Sequence, residues 1–186
     1  MEKRFFLIIG IVASSFCSLI FSSIDDYFPH KTLSSPSNYG NTGLLEIPNA
    51  RFMGQASLRF SFSSSFPNEF TTITATPFPW LEASYRYVEI KNKNYGPASY
   101  SRNQSYKDKA FDIKIRLLNE KYYLPEIALG LRDIAGTGIL SSEYMVATKS
   151  FGDFDITAGV GWGLLGSDNS IRNPFNSLHS SFKTRT

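Results

Sequence analysis

Thiol and imidazole are almost missing from this 186-residue chain: Cys17 is its only cysteine, and His30 and His179 are its only histidines. One cysteine excludes an internal disulfide, and two distant histidines offer no metal-ligand cluster, so neither a metal nor a cofactor is expected. No Ser-His-acid set is credible, because His30 precedes the first strand-like run and His179 lies in the tail. No residue is nominated as catalytic, and the chain is not read as an enzyme. An excess of charge of one sign is lacking as well. The net charge is +3, and it becomes +2 once residues 1–23, with Glu2 against Lys3 and Arg4, are set aside. That balance gives nucleic acid no electrostatic footprint. Past residue 23 no segment approaches the ~18 consecutive apolar residues of a spanning helix. Yet 42% of residues are hydrophobic and 15% aromatic, far too apolar for disorder.

What is present begins with an address. In "MEKRFFLIIGIVASSFCSLIFSS", Lys3 and Arg4 form a short basic start. The apolar run Phe5 to Val12 and then small residues follow, the layout of a secretory signal peptide. Cleavage fits after Ser15 or near Ser23. Cys17 raises the question of lipidation, but Phe16 stands where a small residue is wanted, and the expectation is a cysteine discarded with the signal.

The aromatics, 16 Phe and 10 Tyr against 2 Trp, favour strands, as do the 13 Gly, most of them in the second half. After the irregular "SSPSNYGN", a period of two sets in. In "QASLRFSFS" Ala56, Leu58, Phe60 and Phe62 alternate with Ser57, Arg59, Ser61 and Ser63. "TTITATPF" follows the Pro67-Asn68 turn, and "LEASYRYVEI" sets Leu81, Ala83, Tyr85 and Tyr87 against Glu82, Ser84 and Arg86. The polar stretch Lys91 to Lys109 reads as the longest loop. "AFDIKIRLL", "LPEIALGLRDIAGTG", "SSEYMVATK" and "DFDITAGVGWG" complete seven strand-like runs, with no competing helical period.

Antiparallel strands of this kind fit two architectures that invert the meaning of their faces. A soluble sandwich turns the apolar set inward, whereas an outer-membrane barrel turns it to lipid and lines its lumen with the charged set. Run lengths near the ~9–11 residues of membrane strands favour the barrel. So do aromatics near strand ends: Trp80, Tyr85, Tyr87, Tyr122, Tyr123, Tyr144 and Trp162. The charged set Arg59, Glu82, Arg86, Asp112, Lys114, Arg116, Arg132, Glu143, Lys149 and Asp155 is expected on one side, as an ion-pair lattice. A soluble periplasmic β-sandwich that binds glycan through Tyr and Trp stands as the alternative. A barrel enzyme using Glu82, Asp112 or Glu143 is a third reading, without a positioned base or nucleophile.

"GWGLLG", Gly161 to Gly166, has the spacing of a dinucleotide-binding loop, but "SDNSIRNPF" supplies no helix start for a phosphate. Gly159, Gly161 and Gly163 instead share one face, which suits a bend or a close neighbour. In "LPEIALGLRDIAGTG", Ile127, Leu129 and Leu131 are expected toward lipid and Ala128, Gly130 and Arg132 toward the lumen. Arg132 and Asp133 are expected to form an ion pair at the lumen or rim.

The blocks "PSNYGNTGLLEIPNAR", "PFPWLEASYRY", "YKDKAFDIKIRL", "LPEIALGLRDIAGTG", "SSEYMVATKSFGDFDITAGVGWGLLG" and "NPF" occur in this order from about Pro36 to Phe175. In them the chain resembles the YjbH family of Gram-negative outer-membrane proteins linked to exopolysaccharide and capsule production. The strand-like runs predict an all-β chain, an antiparallel up-and-down meander of about seven to eight strands, and the resemblance implies that these form an incomplete outer-membrane β-barrel. It also implies partners: outer-membrane lipid, secreted polysaccharide and other proteins of the polysaccharide secretion system. Family members are several times longer, so the chain resembles an N-terminal piece. The expected organisation is a signal peptide over 1–23 and an irregular lead-in with a short strand over 24–54. An antiparallel β-barrel segment follows over 55–163, and the irregular tail of a truncated chain over 164–186.

Overall fold

The computed structural model describes residues 34–166, 171–177 and 182; Cys17, His30, His179 and the signal-like segment lie outside them. Where apolar and polar residues alternate, successive side chains can point to opposite faces only in extended backbone, and strands form there. A small hairpin pairs β1 (Gly43–Leu44) with β2 (Ile47–Pro48). Seven further strands make one sheet: β3 (Ser57–Ser65), β4 (Asn68–Phe78), β5 (Leu81–Asn94), β6 (Ser105–Leu118), β7 (Glu126–Arg132), β8 (Ser142–Phe151) and β9 (Phe154–Gly163). They lie in chain order with every neighbouring pair antiparallel, the expected up-and-down meander. The sheet is not closed, since β3 and β9 each have a single neighbour among the described residues.

Residues 79–80, 119–125 and 152–153 connect strands at one end of the sheet, and residues 66–67, 95–104 and 133–141 at the other. The loop expected from Lys91 to Lys109 is much shorter than that. β5 runs on to Asn94 and β6 starts at Ser105, with a four-residue helix, α1 (Ala98–Ser101), in the connection. Lone polar residues hid this extension, which rests on contacts of β5 with both of its neighbours, β4 and β6. Lys91 Nζ lies 3.1 Å from Glu69 and 3.3 Å from Glu89, and Lys93 Nζ sits 4.5 Å from the Tyr106 ring centroid. Arg102 closes the helix in the left-handed region at φ 48°.

Burial in this sheet is inverted. Leu58, Phe60 and Phe62 on β3 are 75%, 70% and 66% exposed, while Glu82, Arg86, Lys114 and Arg132 are at most 2% exposed. The apolar residues therefore line an open outer side, and the charged ones an inner side that is covered. The cover is residues 35–53, a strap that crosses the inner side and carries the β1–β2 hairpin. Apolar packing between strap and sheet falls into two separate clusters, one with Tyr39, Phe70, Val88, Ile90 and Leu140, the other with Ala50, Phe52, Ala128, Tyr144 and Val146. Neither resembles the single continuous core of a sandwich, and among the described residues no second sheet packs on the outer side.

Candidate functional site: a charged wall and its strap

β5 and β6 place Glu82 opposite Lys114, the cross-strand arrangement in which opposite charges meet. Lys114 Nζ lies 3.3 Å from Glu82, and both are buried. Burying such a pair costs several kcal/mol of lost hydration per ion unless the remaining hydrogen-bonding capacity is used. The strap uses it. The Thr42 amide and hydroxyl donate to the two Glu82 oxygens at 2.9 and 2.6 Å, and Lys114 donates to the carbonyls of Thr42 and Arg51 at 2.9 and 2.7 Å. One ion pair thus holds the strap main chain at two points.

Arg51 anchors the far part of the strap. Its guanidinium donates from Nε and NH2 to both oxygens of Asp155, and from NH1 to Glu120 at 2.6 Å and Glu126 at 2.9 Å. Arg116 reaches Glu126 from the other side at 2.6 Å. Burial works against the charge on Arg51, but Asp155, Glu120 and Glu126 outweigh it and raise its pKa. Burial likewise opposes ionisation of Glu120, yet Lys149, the Ser150 amide and Arg51 together hold its carboxyl at about 2. A single arginine in an irregular segment gathers three acids from β7, β9 and the 119–125 turn. Nothing in the alternation of the strands points to it.

Nearer the start of the strap, Tyr39 lies under two arginines. The guanidinium carbons of Arg132 and Arg86 are 4.2 and 5.0 Å from its ring centroid, and burial raises the Tyr39 pKa more than Arg132 lowers it. The Tyr39 and Gly40 carbonyls accept from Thr72 at 2.9 Å and Thr74 at 3.0 Å. Gly40 has φ 87°, and a Cβ there would come within 2.3 Å of the Thr72 side chain, so only glycine fits.

The expected pairing of Arg132 with Asp133 is corrected here. Arg132 stacks between Tyr39 and Tyr144 and donates to the Glu46 carbonyl at 3.5 Å. The Asp133 amide donates to Asp112, whose carboxylate also takes Arg86 at 3.1 Å. Asp133 has left the strand, at φ 56°, so its side chain does not follow the alternation that the block suggested. Burial, followed by the charge of Asp108, pushes its pKa up.

Eight of the ten charged residues expected together do share the inner side: Arg59, Glu82, Arg86, Asp112, Lys114, Arg116, Arg132 and Asp155. Glu143 and Lys149 do not. Register puts Glu143 opposite Leu131 and Trp162, and Lys149 opposite Ile156, on the outer side. Glu143 accepts from Asn173 at 3.0 Å, and Lys149 donates to Glu120. The carboxylates weighed as catalytic are therefore divided, Glu82 and Asp112 each with its own cation and Glu143 across the sheet. Among the described residues no group of His, Cys, Asp or Glu could hold a metal ion.

Tyr144, expected in a girdle at the strand ends, is instead buried on the inner side. Its ring lies across Gly130, where a Cβ would come within 2.0 Å of it. A small residue facing a large one fills the wall without a gap. Gly159 and Gly161, which share one face, serve close approach as expected: Val146 leans over Gly159, and Leu165 folds back to 2.8 Å from a Cβ on Gly161.

Comparison with known proteins takes in both strap and sheet. A family model described as "Exopolysaccharide biosynthesis protein YbjH" matches residues 35–186. The chain belongs to the YjbH family. It is also 36% identical over 184 residues to "Uncharacterized lipoprotein YjbH" of Escherichia coli (strain K12), a match covering 98% of this chain and 26% of the relative. The chain thus spans about a quarter of the length of that curated relative. No solved structure matches. The resemblance read from Pro36 to Phe175 is borne out, and the YjbH match starts where the strap does.

Proposed function

We propose that this YjbH-family chain forms part of the wall of an outer-membrane β-barrel acting in exopolysaccharide or capsule export. The outer side would face lipid and the strapped charged side the lumen. The observation that carries this reading is the inverted burial: phenylalanines stand open on one side while arginines and carboxylates are sealed on the other. Apolar surface exposed on that scale fits a hydrocarbon solvent better than water. The signal-like residues 1–23 supply the export route, and the family description supplies the polymer class. The partners are then outer-membrane lipid, the secreted polysaccharide and other proteins of its secretion system. The role is structural and conductive, with no catalytic step.

The strap is held largely by hydrogen bonds and ion pairs, and these exchange for water or sugar hydroxyls far more readily than buried apolar contacts do. Movement of a polymer along the inner side would proceed by such exchange. The relative's name brings lipidation back to Cys17, the one thiol available for it, as a second attachment to the membrane. The test is fractionation together with deletion. The chain is expected in the outer-membrane fraction, and its loss is expected to reduce secreted polysaccharide. Recovery as a soluble periplasmic protein would overturn the reading.

A further inference from the structure

Along the outer side of β6, Ile115, Ile113 and Phe111 are followed by Lys109 and Lys107. Beside them on β5, Tyr85 and Tyr87 are followed by Glu89 and Lys91. Register sets Tyr85 opposite Phe111, Tyr87 opposite Lys109 and Glu89 opposite Lys107, so the apolar row ends at Phe111 on β6 and one pair later, at Tyr87, on β5, and the next outer pair is charged on both strands. Lys107 and Lys109 are exposed, and neither forms an ion pair among the described residues. Lys91 is already engaged by Glu69 and Glu89. The opposite end of the sheet is finished differently. Trp80 stacks on Phe78 at 5.6 Å, Tyr122 and Tyr123 are 84% and 88% exposed, Lys149 is paired with Glu120, and the exposed Lys121 stands in the turn beyond the strands and not on a strand face.

We propose that Lys107 and Lys109 bind the phosphate groups of lipid headgroups at this rim of the apolar side. The inference rests on the reading that the outer side faces lipid. An ammonium one residue pair beyond an apolar row stands at headgroup depth, where phosphate is the available counter-charge. An acidic polysaccharide is the other anion in this setting. The two lysines share their side with the apolar rows, however, and not with the strap, where polymer is expected. Each lysine near an anionic surface contributes about 1 kcal/mol, or roughly fivefold in partition, so two give on the order of 25-fold.

The full chain, purified in detergent, is reconstituted with vesicles of phosphatidylcholine alone or of phosphatidylcholine mixed equally with phosphatidic acid. Partition is followed by flotation for the wild type and for two double variants, Lys107→Gln with Lys109→Gln and Lys107→Arg with Lys109→Arg. The wild type and the arginine pair are expected to favour the phosphatidic acid vesicles by about 25-fold, a preference that shrinks at high salt and is lost in the glutamine pair. Equal partition of all three proteins into both vesicles overturns this proposal and leaves the lipid-facing reading standing. Failure to enter either vesicle overturns that reading itself. Soluble alginate that displaces the wild type from phosphatidic acid vesicles, but binds the glutamine pair less tightly, assigns the lysines to polymer instead and also overturns the proposal.

Discussion

Arg59 and Phe60 are consecutive on β3, yet they belong to different environments. Phe60 leaves 70% of its surface open, whereas the side to which Arg59 points holds Arg86 and Glu82 at 0% and 1% exposure. A protein in water gains roughly 1.5–3 kcal/mol by hiding each large apolar side chain and loses by hiding a charge. Apart from Glu143, which is buried on the outer side beside Asn173, this sheet does the reverse on both sides at once. The comparison teaches that the strap and the ion pairs create the inner side, while whatever surrounds the outer side is expected to be apolar.

The most damaging way to break the contrast is to unbalance the inner side. Glu82→Ala leaves Lys114 buried without its carboxylate and the Thr42 amide without an acceptor. A loss of about 3–5 kcal/mol is expected from urea unfolding in detergent, and joint replacement of Glu82 and Lys114 by methionine is expected to recover only the part due to the unpaired charge, since the strap groups at Thr42 and Arg51 stay without partners. A loss below ~1 kcal/mol would mean that water reaches the pair. The outer side is broken with a charge. Ile73, 44% exposed between Phe60 and Tyr85, is a central position for Ile73→Arg. The cost is expected to be about 2–4 kcal/mol when folding is measured in a bilayer. A value within ~0.5 kcal/mol, usual for a water-exposed site, would place this side in water.

The smallest effect sharpens the account of the strap. The Glu120 carboxyl lies at about 2, below its ordinary 4.5, so the folded state prefers the ionised form. Its contribution is complete above pH 4.5 and is lost as pH falls toward 2. Protease cleavage of the strap is expected to rise across that window in the wild type and to lose the Glu120-dependent step in Glu120→Gln. Glu120 is partly open to solvent, which keeps the effect modest. An unchanged pH profile in Glu120→Gln would separate this residue from strap retention.

Alternation made the sheet legible in advance. Wherever a run such as Phe111 to Leu117 keeps strict period two, the strand and its sidedness follow from backbone geometry alone. Legibility failed where side chains leave that rule. Lys91 to Lys109 looked like loop because its residues are polar on both faces, and only cross-strand pairing shows that it is a hairpin. Glu143 and Lys149 were grouped with the inner charges by type, although their register parity assigns them to the other side. Tyr144 was read as interfacial because tyrosine is amphipathic, but the space above Gly130 draws its ring inward. Arg51 and Thr42 were missed for a deeper reason. An irregular segment carries no period, so its contacts, here more than 60 residues away in sequence for Lys114 and Glu126, leave no local trace.

Among the described residues the meander has an odd number of strands, seven, and this sets the sense of its two borders. β3 and β9 run in the same direction, so wrapping the sheet until they touched would create one parallel seam in an otherwise antiparallel wall. Two upright copies side by side would meet in the same parallel way. A cylinder with antiparallel pairing throughout needs an even total. In the proposed barrel, if pairing is antiparallel throughout, whatever joins these seven strands would contribute an odd number of strands.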